Sequence, residues 1–195
     1  GEHSSHHLKF DAPLTSDIEG LARPLCHWVR SSDSVASVGI DAAAAVAQAR
    51  SRPGLISTLI LPGETSWSDG GVPVLTHAKR AALNKPDPLL VDSIARVLLS
   101  GEPTLMILAG RSLRASTLEL AGRIAAKTGC RLASQFFSAR VERGAGRVPI
   151  ERIPYFVDAA VPFLKGIKHI ITVETGEPIA FFSYPGKPSQ MKPAD

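Results

Sequence analysis

Cysteine is scarce. The 195-residue chain carries two, Cys26 and Cys130, too few and too far apart to staple a small scaffold, so reduced structural thiols are expected. Aromatic residues make up only 6%, and the basic excess is small: 22 Lys and Arg against 18 Asp and Glu, a net charge of +4 and a pI near 9.3. A nucleic-acid surface concentrates its cations on one face with rings among them, and here they are spread along the chain, so no nucleic-acid partner is expected. No apolar run approaches the ~18 residues of a membrane span, so no membrane association is expected. No secretory leader opens the chain, which points to a cytoplasmic setting, although a start at Gly1 without methionine implies residues upstream. The standard catalytic signatures are also missing. There is no Gly-x-Ser-x-Gly elbow, Walker loop, Cys-x-x-Cys pair or His-Glu-x-x-His motif.

What remains is 44% hydrophobic and 21% charged, enough to bury a core in one domain or two small ones. Ser16-Asp17-Ile18-Glu19 has the form of a capping box. Behind it Ile18, Leu21, Leu25, Trp28 and Val29 recur at helical spacing, which predicts a helix over 17–30, weakened at Gly20 and kinked at Pro24. Asp41 reads as the cap of an alanine-rich helix over 42–50, stopped by Arg52-Pro53-Gly54. Leu55 to Leu61 is a nearly continuous apolar run of the kind found in a parallel strand buried on both faces. From Pro62 to Pro88 glycine and proline replace periodicity, so a linker is expected, with one helical piece near 76–83.

Alternation then resumes: a helix from Asp87-Pro88 to about Leu99, a strand at 104–109, a helix through to Thr128 closed by Gly129, and a strand from Arg131. A polar loop over 138–150, a helix near 155–165 and strands at 168–173 and 179–183 complete the order. The fold class is therefore α/β, with open, mostly parallel sheets flanked by helices, in two partial or small domains joined by a linker.

Three clusters are candidates for chemistry. At Ala109-Gly110-Arg111-Ser112-Leu113-Arg114 a strand ends in glycine and enters a helix, so backbone N–H groups converge and Arg111 and Arg114 add charge for a diphosphate. The dinucleotide fingerprint needs further glycines at set spacing, and they are absent, so an ordinary turn is the competing reading. Arg140, Arg143 and Arg147 sit on a glycine-softened loop that clamps an anion, contacts another subunit or stays solvated. His3, His6 and His7 lack a fourth metal ligand and read as a terminal loop or tag remnant, while His27, His77 and His169 have no evident partner. No catalytic or metal-ligating residue is assigned within the chain.

Several longer runs resemble one family. Gly1-Glu2-His3, followed by Phe10-Asp11-Ala12-Pro13-Leu14-Thr15-Ser16-Asp17-Ile18, is similar to the latter part of the pyrimidine-binding domain of thiamine diphosphate-dependent enzymes, with Leu59 to Ser68 as its closing strand and exit. Arg140 to Gly146, Glu151-Arg152-Ile153-Pro154-Tyr155 and Phe181 to Ser189 resemble the central domain of those enzymes. The nearest group is acetolactate synthase large-subunit-like, related also to benzoylformate decarboxylase.

The resemblance implies three segments: a partial pyrimidine-binding domain over 1–68, a linker over 69–87, and a central domain over 88–195 with room for a last strand beyond it. It also implies an internal part of a chain about three times longer. The glutamate that protonates the cofactor ring would precede Gly1, and the Gly-Asp-Gly motif that holds Mg²⁺ and the diphosphate would follow Asp195. Ser68-Asp69-Gly70-Gly71 does not match that motif. Glu2 and His3 would face the cofactor cleft, with Glu2 standing where acetolactate synthases carry Gln. Gly110 and Arg111 would be the central-domain contacts for FAD or ADP, which only some relatives bind. The implied substrate is a 2-oxo acid, cleaved or ligated by a homo-oligomeric parent. A non-catalytic structural or nucleotide-binding α/β module is the alternative.

Overall fold

The computed structural model describes residues 2–51, 54–74 and 85–193. The helical piece expected near 76–83, His77, and Arg52-Pro53 lie outside them. The chain divides into two compact units, Gly1–Asn84 and Lys85–Asp195.

In the first unit the long helix expected over 17–30 is not formed. Only α1, Ile18–Ala22, is helical, and Trp28–Ser31 is a strand, β1. Arg23 keeps α-helical backbone as the C-cap, and the helix ends there because Pro24 has no N–H to continue the ladder. Beyond that break, Trp28-Val29 follows its β preference and pairs. The capping box is also replaced. The Asp17 carboxylate accepts from the Gly20 N–H at 2.8 Å, and Glu19 turns instead to Arg23.

Helix α2 spans Val38–Ala49 and starts earlier than the sequence suggests, with Ser37 rather than Asp41 at its N-cap. Gly39 is required there by a neighbour, since a Cβ would come within 2.1 Å of the Val72 carbonyl oxygen. Strand β2, Ser57–Ile60, runs parallel to β1 with Val29 opposite Thr58 and Ser31 opposite Ile60. Only Ile60 of β2 is buried, so the strand is not covered on both faces as expected. Phe10, Leu14, Leu21 and Leu25 also stand in solvent.

The second unit follows the expected order more closely. Helix α3, Pro88–Leu99, begins at Asp87, whose carboxylate accepts from the Leu89 N–H, with proline at the first helical position. Strand β3, Thr104–Leu108, is buried at all five positions. A 3₁₀ turn, Gly110–Leu113, leads into α4, Ala115–Thr128, closed by Gly129 in the left-handed conformation. Then come β4, Arg131–Ser134; a short β5, Glu151–Arg152; α5, Val157–Leu164; and β6, His169–Val173. The strand expected at 179–183 is reduced to one antiparallel bridge, Ile179 to Gln190. Glycine and prolines around Tyr184-Pro185-Gly186-Lys187-Pro188 interrupt a longer ladder.

The four strands lie in the order β5-β4-β3-β6, all parallel. Alternation along β3 feeds two cores. Leu105 and Ile107 join Ala133, Ile153, Val157, Ala160, Leu164 and Met191 on one face. Met106 and Leu108 join Leu113, Leu118, Ala121, Leu132 and Ile171 on the other. Each such leucine or isoleucine gains ~1.5–3 kcal/mol from burial, which is why β3 is the centre of the unit. Among the described residues, no helix is long and apolar enough to cross a membrane.

Candidate functional site

Parallel β1 and β2 present their carboxyl ends together, and a cleft of about 310 Å³ opens there. Its walls include Ser31 at the end of β1 with Ser32 and Asp33 after it, Ile60 and Pro62 at the end of β2, Asp17 and Glu19 at the start of α1, and Glu2. Glu2 is drawn in because its N–H donates to the Leu61 carbonyl at 3.1 Å and its backbone bridges to Pro62. The next residues are pinned by Glu64, whose carboxylate accepts from the Ser5 N–H at 3.0 and 3.2 Å. Those Ser5 contacts hold the Glu64 carboxyl below its usual range.

His3 is adjacent in sequence but is engaged elsewhere, its Nε2 lying 3.0 Å from the Pro13 carbonyl oxygen. The His3 and His7 rings meet edge to face at 5.4 Å. Among the described residues, no group of three His, Cys, Asp or Glu side chains is arranged to hold a metal ion.

The floor of this unit is set by Asp41, which lies inside the first turn of α2 rather than capping it. The buried carboxylate accepts from Arg30 Nη1 at 2.8 Å and Ser32 Oγ at 2.9 Å. Arg30, aided by Ser32 and Ser37 against the cost of burial, holds Asp41 below the usual carboxylate pKa. This contact ties α2 to the exit of β1. The spacing Arg30-x-Ser32 with Asp41 carries no sequence signal, because the partners lie on different elements.

In the second unit the chain runs from β3 outward through β4 to β5 and then returns to the opposite side of β3 as β6. The strand order therefore reverses between β3 and β6. Open α/β sheets take ligands outside the carboxyl ends of the strands at such a point. Gly110 and Arg111 lie there, at the exit of β3. The position facing them is Glu174, the first residue after β6, with φ of 56°. Left-handed backbone costs a non-glycine residue ~1–2 kcal/mol.

The Glu174 carboxylate accepts from the Arg111 N–H at 2.5 Å and from the Ser112 N–H at 3.2 Å. Gly110 has φ of 54°, and a Cβ there would lie 2.8 Å from Glu174 Oε2. Both the turn and the carboxylate therefore require glycine. Gln135, leaving β4, donates to Thr175 Oγ1 at 3.0 Å, so the three strand exits are tied together.

The converging N–H groups foreseen at 110–112 are real, but the chain's own carboxylate holds two of them. FAD or ADP would bring a diphosphate against that carboxylate, and the residues do not fit it. One cationic atom nearby in sequence, Arg114 Nη1, is buried with no partner among the described residues. The arginine loop is partly neutralised, because Glu142 lies 3.5 Å from Arg140 and 3.7 Å from Arg147, while Arg143 donates to the Ile150 carbonyl.

His169, without a visible partner in the sequence, meets Glu102: Nε2 lies 2.6 Å from Oε2, and Lys168 Nζ donates to Oε1 at 2.8 Å. Glu102, His169 and Glu174 become legible only through the pairing of β3 with β6. The one sequence hint for Glu174 is a carboxylate directly after an apolar strand.

No protein-family model matches the chain. It is 43% identical over 199 aligned residues to the "Putative acetolactate synthase large subunit IlvX" of Mycobacterium tuberculosis, covering all of this chain and 37% of that protein. Among solved structures it resembles the thiamine diphosphate-dependent 4-hydroxybenzoylformate decarboxylase of Rhodococcus jostii RHA1, with a TM-score of 0.72 at 15% identity, covering 100% of this chain and 37% of that one. It also resembles benzoylformate decarboxylase from Polynucleobacter necessarius, with a TM-score of 0.70 at 18% identity, covering 100% and 36%. These structural likenesses establish the fold. The chain resembles a part of acetolactate synthase-like, thiamine diphosphate-dependent proteins and spans a little over a third of their length.

Proposed function

We propose that this chain supplies the closing part of the pyrimidine-binding domain and the central domain of a thiamine diphosphate-dependent 2-oxo acid lyase or carboligase, and that by itself it does not turn over substrate. The observation that carries this reading is the 43% identity, sustained over the whole chain, to a protein named for acetolactate synthesis. Two further features support it. The first unit contains a two-stranded sheet among the described residues, with Leu14, Leu21 and Leu25 exposed, an arrangement that more strands would complete. Among the described residues, the cleft at Glu2 is lined by Glu2, Asp17, Glu19 and Asp33 and by no lysine or arginine.

Those residues fit one end of the cofactor. Carboxylates can accept from the amino group of an aminopyrimidine, and from a ring nitrogen when that is protonated, and so orient it, whereas they repel a diphosphate. The diphosphate and Mg²⁺ are therefore assigned to residues outside this chain. When bound, thiamine diphosphate supplies the carbanion-stabilising chemistry. Glu2 would hold the ring at the β2 exit, and Ile60 and Pro62 would exclude water from one wall. The central-domain part would act as a spacer and interface in a homo-oligomer. The exposed ring series Phe137, Phe181 and Phe182, with successive centroids 5.5 and 4.6 Å apart, supports that role.

Calorimetric titration with thiamine diphosphate and Mg²⁺, alongside a pyruvate decarboxylation assay, tests the proposal. No binding and no turnover are expected. Micromolar binding or measurable turnover would overturn the assignment of the diphosphate site to residues outside the chain.

A further inference from the structure

We infer that Glu174 is a built-in anion at the switch point between β3 and β6, and that it keeps nucleotide diphosphates such as FAD and ADP out of the Gly110–Ser112 turn. The inference does not depend on the chemistry of the parent enzyme. It starts from the turn itself, which shares its placement and its converging donors with a phosphate cradle although it lacks the further glycines of the dinucleotide fingerprint. It lies at the carboxyl end of a fully buried central strand, at the reversal of strand order, with two backbone N–H groups converging on one acceptor.

In this chain the acceptor is a carboxylate from the neighbouring strand's exit. Three features show that the contact is built rather than incidental. Glu174 adopts left-handed backbone at φ of 56°, which a glutamate does not favour. Gly110 leaves the space into which the carboxylate fits, since any Cβ would crowd Oε2. Thr175 and the Gly176 carbonyl, immediately after Glu174, are held by the Gln135 side-chain amide, so the exit loop cannot swing away without losing that support as well. Charge-assisted hydrogen bonds from two amides satisfy the donors that a phosphate would otherwise claim. A diphosphate arriving at the turn would have to displace a tethered anion of its own sign.

The test titrates ADP and FAD separately into the chain and into Glu174→Ala, by calorimetry, with amide exchange at Arg111 and Ser112 followed in parallel. The unaltered chain is expected to give no heat at millimolar nucleotide and no change in exchange at the two amides. Glu174→Ala is expected to bind ADP at least ~10-fold more tightly than the unaltered chain's detection limit, a difference of ~1.4 kcal/mol. Adding Arg111→Glu to that variant is expected to abolish the gain. Binding by the unaltered chain, or slowed exchange at Arg111 and Ser112 on adding nucleotide, would overturn the inference. So would a folded Glu174→Ala that still gives no heat. If that variant does not fold, the exchange measurement on the unaltered chain decides alone.

Discussion

Asp41, on the first turn of α2, accepts a hydrogen bond from Arg30 Nη1 at 2.8 Å across to the outer strand of a two-stranded sheet. With Ser32 Oγ at 2.9 Å, it is the polar clasp that holds helix to strand in the first unit. Asp41 is buried while half of the Arg30 side chain is exposed, so the two partners do not contribute equally. Loss of the carboxylate leaves Ser32 without its acceptor in the interior. Loss of the guanidinium leaves the buried carboxylate without its cation, a loss that water entering the half-exposed Arg30 site partly offsets.

Asp41→Ala is accordingly expected to destabilise the first unit by ~1–3 kcal/mol, the cost of breaking a buried charge-assisted pair. Arg30→Ala is expected to cost less. Urea unfolding followed through tryptophan fluorescence reads both, since Trp28 and Trp67 lie in the first unit. No loss for Asp41→Ala would show that the clasp is not structural.

Gly110→Ala should destabilise the second unit by ~1–3 kcal/mol, because alanine at positive φ is strained. Its Cβ would also lie 2.8 Å from the Glu174 carboxylate. Thermal unfolding measures the loss, and faster amide exchange at Arg111 and Ser112 would show that Glu174 has been pushed away. Unchanged exchange would mean that the carboxylate is held by something other than this turn.

The Glu102 carboxyl is pulled from 4.5 to about 2 by Lys168 first and His169 second. A carboxylate lowered in the folded state stabilises it fully above the unfolded pKa, and that contribution is lost as pH falls through the folded value. Folding stability should therefore fall between pH 4.5 and about 2 in part through this group. Glu102→Gln should flatten that slope and lower the melting temperature slightly at neutral pH, the effect being small because the cluster is solvent-exposed. The same carboxylate raises Lys168, so the pair also loses stability at the alkaline end as Lys168 deprotonates. A carboxyl NMR titration placing Glu102 near 4.5 would refute the pairing.

Hydrogen exchange should separate the two units. Strand β3 is buried along its whole length and paired on both sides, whereas β2 is buried only at Ile60. Amides of Leu105 to Leu108 should outlast those of Thr58 and Leu59 by a wide margin, since exchange follows local opening energy. Equal protection would show that the first unit is complete as it stands, contrary to its proposed need for further strands.

Local rules carried much of this protein. The buried strand at 104–108, the strand at 169–173, the Asp87-Pro88 start of α3, the Gly129 stop of α4 and the α/β class were all legible in the sequence. A run of apolar residues between turn formers leaves few other solutions. The expected helix over 17–30 failed because a helical period continued on paper past Pro24, while Trp28-Val29 had a strand, β2, with which to pair. Its partner is about thirty residues away, and no local window contains it.

The same limit applies to the candidate site. Glycine at 110 and converging N–H groups could be read from the sequence, because they follow from one strand entering one turn. That Glu174 fills them could not, because the carboxylate arrives from a strand 62 residues beyond Ser112, through the parallel pairing of β3 with β6. Sequence by itself determined the secondary elements with strong local signals and the kind of sheet they form. Tertiary structure decided which charges meet, because hydrogen bonds such as Arg30 to Asp41 and Arg111 to Glu174 depend on distances that only the assembled sheet sets.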